Sequence, residues 1–479
     1  MASVETAGVV LPSDEHGRRS STTLGREVVA EALSPVDPIG AEAALRVNEW
    51  RTGYPPHFRR LVEAGFADAS TAVTIAETGL AALHDRFRVL TATGAELPLA
   101  ATFEQPVAQT LTTRSIQGIA SPDTFTLPVN GRRLEDETLL LQLDLWEQRG
   151  ALEPSAAAAV REVAHQPDWL PLRGTKVVVL GAGAEMGPLQ ALLSWGAEVI
   201  AIDLPRPELW RRLEKIAQAG AGVLHVPEMD GTPGVDLLHD LPAIAQWLAN
   251  FEGPLVLGNY AYADGAANLR VSMATDLLAT RLISERDDVS LAYLATPTDV
   301  FGVPADVIEF SATAYDRGRI KGARSLLKAV SGGRLLQRNH RPGPEPGIAD
   351  AVIPQQGPNY LLAKRIQRWR ATVARRAGVP VSLLVAPPTR TRSVTKNRAL
   401  AAAYAGAHHF GVDVFNPSTS NVLMAGLLVH DLNTGGAPIS EPWREEALKA
   451  VPGGLWRGPY APRSALGLAL LLGYGVSRG

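Results

Sequence analysis

A chain of 479 residues, 46% hydrophobic and 20% charged, has room for two or three domains and at least one large core. Its formal net charge of −3 offers nothing to a nucleic acid, and the absence of cysteine excludes disulfides, thiolate catalysis and cysteine metal sites. The N-terminal stretch lacks the continuous apolar core of a signal peptide, and no segment reaches the roughly 20 apolar residues of a membrane span. A cytoplasmic protein with no membrane partner is expected.

Residues 1–25 are polar and read as a disordered tail. Residues 26–170 read as a mainly helical accessory domain, with helical periodicity at Ala41–Trp50, Phe58–Ala64, Ser70–Arg88 and Leu134–Arg149 and a further helix from Ser155. Val89–Leu111 alternates weakly, as strands do. Trp169–Gly174 then leads into a second domain, residues 171–479.

That domain opens with TKVVVLGAGAEMGPLQALLSWGAEVIAID, residues 175–203. Val177–Leu180 is a continuous apolar run, the mark of a parallel strand covered on both faces. Gly181, Gly183 and Gly187 follow, then a short apolar helix and a second strand ending on Asp203, about 20 residues beyond the first glycine. Such a turn lets amides at a helix N-terminus meet a pyrophosphate, while the carboxylate meets a ribose hydroxyl. GAGAEMG departs from G-x-G-x-x-G: its third glycine comes one residue late, and Glu185 brings a negative charge to the turn.

Further on, strands are expected at Gly222–Val226, Pro254–Leu257, Val289–Leu294 and Val381–Val385. Helices are expected at Glu208–Gln218, Leu241–Asn250, Asn268–Ile283 and Tyr360–Arg376, the last carrying a basic face. Alternation of this kind predicts an α/β fold with a doubly wound parallel sheet, Rossmann-like, beside the helical N-terminal region. Residues about 303–357 interrupt the alternation as an insertion. Ala465–Leu472 reads as a buried terminal helix.

Tyr360 and Lys364 are four residues apart, on one helix face. A lysine beside a tyrosine draws the phenol pKa down, and a phenol so tuned exchanges a proton with an alcohol or carbonyl oxygen. With the elements in this order, residues 175–395 resemble the short-chain dehydrogenase/reductase superfamily in divergent form. The resemblance implies an alcohol–carbonyl oxidoreductase. Gly181, Gly183, Gly187 and Asp203 would hold NAD or NADP, with Asp236 (or Asp230) near the adenine, Asn259 at the ribose and Thr391 near the nicotinamide amide. It also implies Tyr360, Lys364 and Asn268 in catalysis, with Thr296 or Thr298 in the place of the usual serine. The spacing from Thr298 to Tyr360 exceeds the family's usual dozen or so residues, so 303–357 would loop out as a lid or clamp.

Asp203 favours NAD, since a carboxylate repels a 2′-phosphate, while Arg206, Arg211 and Arg212 keep NADP open. The expected partner is a small-molecule substrate, and a homo-oligomer stays open. Two other readings remain: an S-adenosylmethionine-dependent methyltransferase, whose first strand and acidic second-strand end look similar, and a non-catalytic dinucleotide-binding protein. His408–His409 and His430–Asp431 carry no metal-ligand spacing, so no metal is expected. No G-x-S-x-G elbow supports a hydrolase.

Overall fold

The computed structural model describes residues 8–107, 109–318, 321–435 and 440–474. Six largely apolar strands form a parallel sheet, β3 being the most polar of them: β1 (Lys176–Leu180), β2 (Glu198–Ile202), β3 (Val223–Met229), β4 (Leu255–Asn259), β5 (Val289–Ala295) and β6 (Val381–Val385). Their spatial order is 3-2-1-4-5-6. The order reverses between β1 and β4, so a crevice forms at their carboxyl ends, where doubly wound sheets bind ligands.

Successive side chains of each strand point to opposite faces, and the core divides accordingly. Val178, Leu180, Ile200, Ile202, Leu257 and Leu291 lie on one face, which helices Ala266–Glu285 and Pro358–Arg376 cover. Helices α1 (Ser21–Leu33) and α2 (Ala69–Arg86) of the N-terminal region pack on the outer side of the second of these and extend the same core. Val177, Val179, Val199, Ala201, Val256 and Leu294 pack on the other face, against helices that include α3 (Pro154–His165), α4 (Leu189–Ser194) and α5 (Pro207–Ala219). The remaining helices used below are α6 (Leu241–Ala249), α7 (Ala266–Glu285), α8 (Pro358–Arg376) and α9 (Pro417–Thr434).

The helices ahead of residue 170 therefore share the sheet's core instead of closing a separate one. Thr112–Gln117 goes further and adds an antiparallel strand to the β3 edge. The expected disordered tail is also corrected. Residues 1–7 lie outside the described residues, but Gly8–Val10 is a buried strand paired with Arg88–Leu90, and α1 begins at Ser21 on an Ser20 cap.

Insertion 303–357 is anchored by a hairpin, Val300–Val303 paired antiparallel with Gly347–Asp350. Helices Ala305–Arg317 and Lys321–Val330 lie between its strands. Its side chains join the C-terminal segment in a small core of Tyr315, Leu336, Phe410, Tyr460, Ala465 and Ala469. The terminal helix, Pro462–Gly473, is buried on one face only: Leu471 is 69% exposed, contrary to the fully buried helix expected.

Candidate functional site

At the carboxyl end of β5 the chain turns through Thr296 and Thr298, both buried, with their hydroxyls 2.9 Å apart. Gly357, at φ 80°, and Pro358 start α8 opposite this turn, which puts Tyr360 in the first helical turn and Lys364 one turn later. The Thr296 hydroxyl lies near enough to the Tyr360 phenol to favour its ionised form. The Lys364 ammonium donates to Leu294 O at 2.9 Å and to Gln367 Oε1 at 3.2 Å. Four of the residues singled out in the sequence thus converge across the 303–357 insertion.

Their electrostatics differ from the expectation. Lys364 bonds to neutral oxygens beside the strand and not to the phenol. Burial pushes the Tyr360 phenol up, against the opposing effect of Thr296, so the lysine does not draw it down. Burial also pushes the Lys364 amine down to about 8, with the Asp299 charge opposing. Two further phenols stand close. Tyr262 meets the Tyr360 ring edge-on, with centroids 6.1 Å apart, and Tyr404 is raised to about 12 by burial, the Tyr360 charge adding to it.

The glycine turn is held largely from within. Gly181 and Ala182 N–H donate to Ile202 O, Ala184 N–H to Gly181 O, and Gly187 N–H to Ala184 O. The Asp203 carboxylate accepts the Gly183 N–H at 2.8 Å and its neighbour Leu204 N–H at 2.8 Å. Gly181 has φ 80°, and a Cβ there would lie 2.7 Å from Ala261 Cα, so glycine is demanded by the loop after β4. At Gly183 a Cβ would meet Leu209 of α5 at 2.4 Å. Glu185 is bound to Arg392, beyond β6, at its backbone N–H (2.8 Å) and its Nε (2.6 Å).

A cleft of about 480 Å³ opens against Ala182–Glu185 and Gly187, with Arg133, Arg212, Thr126 and Ser418 among its walls. These donors suit phosphate and ribose oxygens, and each Asp203 oxygen keeps a lone pair for a hydroxyl. The residues present therefore fit a nucleotide moiety, once Glu185 shares or releases Arg392.

The other candidates are bonded into the scaffold. Buried Asn259 donates to Thr275 Oγ1 of α7 at 2.7 Å and accepts the Ala261 N–H at 3.3 Å. Buried Asn268 accepts the Ala263 N–H at 3.1 Å. Asp236 caps its own turn, accepting the Leu238 N–H at 2.8 Å, while Asp230 accepts from Gln109. Thr391 exchanges a hydroxyl bond with Ser393. None of these bonds reaches the Thr296–Tyr360 group.

The sequence reading missed the groups beneath that group. Arg365, Arg368 and Arg370 of α8, part of the basic face expected for that helix, are buried. Arg365 and Arg368 hold Asp299, which has 0% exposure, at 3.0 and 2.6 Å, and Arg368 also holds Glu446. Arg370 pairs with Asp276 of α7, whose other partner is His84 of α2 at 2.7 Å. A signal was present: these arginines interrupt the same face as Leu361, Leu362, Ile366 and Trp369, where a solvated charge has no place.

Among the described residues no group of three or more His, Asp or Glu could hold a metal, and no helix is long and apolar enough to cross a membrane. His408 and His409 stack on each other, and His430 pairs with Glu162.

No protein-family model matches the chain, and no curated protein does. Among solved structures it is similar to an A1-type ketoreductase at 15% identity and a TM-score of 0.32, with 56% of this chain and 46% of that one covered. A-type ketoreductases from a modular polyketide synthase give 16% identity, a TM-score of 0.31 and the same coverages. A short-chain dehydrogenase/reductase from Serratia marcescens gives 13% identity and a TM-score of 0.33, covering 58% of this chain and 96% of that one. The chain thus spans less than half the length of the two ketoreductase structures. Its own strand order and alternating helices define the class: an α/β protein of doubly wound, Rossmann-like type.

Proposed function

We propose that the chain is an NAD(P)-dependent oxidoreductase of short-chain dehydrogenase/reductase type, cytoplasmic, that interconverts an alcohol and a carbonyl. One observation carries the reading. A buried pair of hydrogen-bonded hydroxyls, Thr296 and Thr298, the Tyr360 phenol on which Thr296 acts, and an amine with no carboxylate bonded to it meet at the carboxyl end of β5. A group of this kind can pass a proton to or from a substrate oxygen.

In this reading Tyr360 gives the proton to the carbonyl oxygen or takes it from the alcohol. Thr296, which acts on the phenol against the push of burial, favours the phenolate, and Lys364, at about 8, exchanges protons near neutral pH. Tyr262 and Tyr404 wall the substrate side. Arg133, Arg212, Ser418 and Asp203 would hold the dinucleotide, which supplies or accepts the hydride. The Asp203 carboxylate favours NAD, while Arg212, which reaches Gly183 O at 3.0 Å, is the cation available to NADP.

A second reading, a dinucleotide-binding protein without turnover, is favoured by the Tyr360 phenol, which burial pushes up and to which Lys364 makes no bond. A thermal-shift panel with NAD, NADH, NADP, NADPH and S-adenosylmethionine separates the classes. A ligand at 100 times its Kd stabilises a one-site protein by about 2.7 kcal/mol. Stabilisation by a nicotinamide cofactor, with carbonyl turnover that Tyr360→Phe abolishes, supports the proposal. Cofactor binding without turnover supports the second reading, and a response to S-adenosylmethionine alone overturns both.

A further inference from the structure

Asp299 directly follows the Thr296–Thr298 turn and has no exposed surface. Its Oδ1 accepts Arg365 Nη2 at 3.0 Å and the Val300 N–H at 2.7 Å, and its Oδ2 accepts Arg368 Nη1 at 2.6 Å. Its backbone carbonyl accepts the Ala351 N–H at 3.2 Å, from the end of the insertion's hairpin. Arg368 continues to Glu446, donates to Val300 O at 2.9 Å, and lies 4.1 Å above the Phe301 ring. From the segment ahead of α8, Gln356 Nε2 donates to Thr298 O at 2.8 Å.

Two buried acids and two buried guanidiniums thus balance, and they join the threonine turn, the hairpin, α8 and helix Pro442–Ala447. A buried ionic group of this kind adds little stability over a well-packed apolar one, but it restricts the geometry of what it joins. Here it joins the two elements whose side chains make the candidate site. Tyr360, Lys364, Arg365 and Arg368 occupy successive turns of one helix.

We propose that Asp299 is the positioning residue of the site. Through Arg365 and Arg368 it locks the Thr296–Thr298 turn against the helix that carries Tyr360 and Lys364. The proposal rests on the oxidoreductase reading for its purpose, though its geometry can be tested without turnover. Its consequence is a specific one. The Asp299 charge acts on the Lys364 amine, supporting protonation against burial, and Arg365 moderates that charge.

The test follows the Lys364 amine by NMR in full-length protein labelled with [13Cε]lysine, assigned with Lys364→Arg and titrated without ligand. Asp299→Asn is expected to lower the Lys364 midpoint by about one unit, because a supporting charge is lost while the amine stays buried. Arg365→Met is expected to raise it, and Arg365→Lys to restore it. A midpoint that Asp299→Asn leaves unchanged or moves up toward the solvent value means that the Asp299 charge does not set the Lys364 amine, and that result overturns the proposal. If Asp299→Asn does not fold, the arginine pair decides: equal titrations in Arg365→Met and Arg365→Lys overturn it. A wild-type protein that turns over no carbonyl would sink the functional reading alone, since the titration needs no substrate.

Discussion

Glu185 of the glycine turn grips Arg392 at two points, the backbone N–H at 2.8 Å and Nε at 2.6 Å, across 207 residues of sequence. The bridge spans from the turn after β1 to the segment after β6, so it closes over the carboxyl edge of the sheet near its topological switch point. It also puts a carboxylate where an anionic ligand would approach.

Replacing that carboxylate should therefore favour nucleotide binding. Glu185→Gln is expected to tighten NAD or NADP by about tenfold, equivalent to about 1.4 kcal/mol. The Arg392 side chain is 68% exposed, so loss of the ion pair should change stability by no more than about 1 kcal/mol. Calorimetric titration of both proteins checks this, and unchanged or weaker binding would show that the bridge does not compete with the ligand.

Gly181→Ala forces a side chain into a left-handed conformation and against the Ala261 backbone. The conformation alone costs about 1–3 kcal/mol, and the clash adds to it. Gly174→Ala is the control, since Gly174 has φ 79° but nothing within 4 Å of the added carbon. Urea midpoints should fall for both and further for Gly181→Ala. Equal losses would mean that the loop after β4 can move away.

Asp276 links α7 to α8 through Arg370 and to α2 through His84. Burial alone would raise its carboxyl, but the Arg370 guanidinium and the His84 ring outweigh that and hold it well below the usual carboxylate range. A depressed folded pKa means that this stabilisation is complete above the unfolded value of about 4 and is lost as pH falls below it. Asp276→Asn should cost about 3–5 kcal/mol at pH 7 by stranding Arg370. It should also flatten the acid limb of a stability–pH curve measured by urea unfolding. An unchanged acid limb would assign the sensitivity to other carboxylates.

Thr296 and Thr298 can be told apart. Of the two, Thr296 acts on the Tyr360 phenol, against the upward push of burial. Thr296→Val should raise the phenol pKa and slow a proton transfer through it by about 10²-fold or more, the lower range for general acid–base catalysis. Thr298→Val, one hydroxyl removed from the phenol, should do less. Equal rates in the two variants would place neither in the proton path.

Much of the fold was legible locally. The apolar runs of β1, β2, β4, β5 and β6 and the glycines between strand and helix identify a doubly wound sheet, because a strand buried on both faces has no alternative composition. The four-residue spacing of Tyr360 and Lys364 likewise placed both on one helix face. The elements ahead of residue 170 were harder to assign. Periodicity marks α1 and α2 as helices, yet nothing in it says that their apolar faces pack on α8, one of the helices that cover the sheet.

By itself, the sequence determined the elements, their order and the four side chains that meet at the end of β5, since backbone period and burial pattern are local properties. Tertiary structure alone decided which charges are partners. Arg365 and Arg368 look like a solvated stripe until Asp299 and Glu446, 66 and 78 residues away, are folded against them. Asp203 looks like a ligand contact alone until it accepts the turn's own Gly183 amide, and Glu185 looks like an unpaired charge until Arg392 binds it. Electrostatic pairing depends on distance in space, and only the packed chain sets that distance.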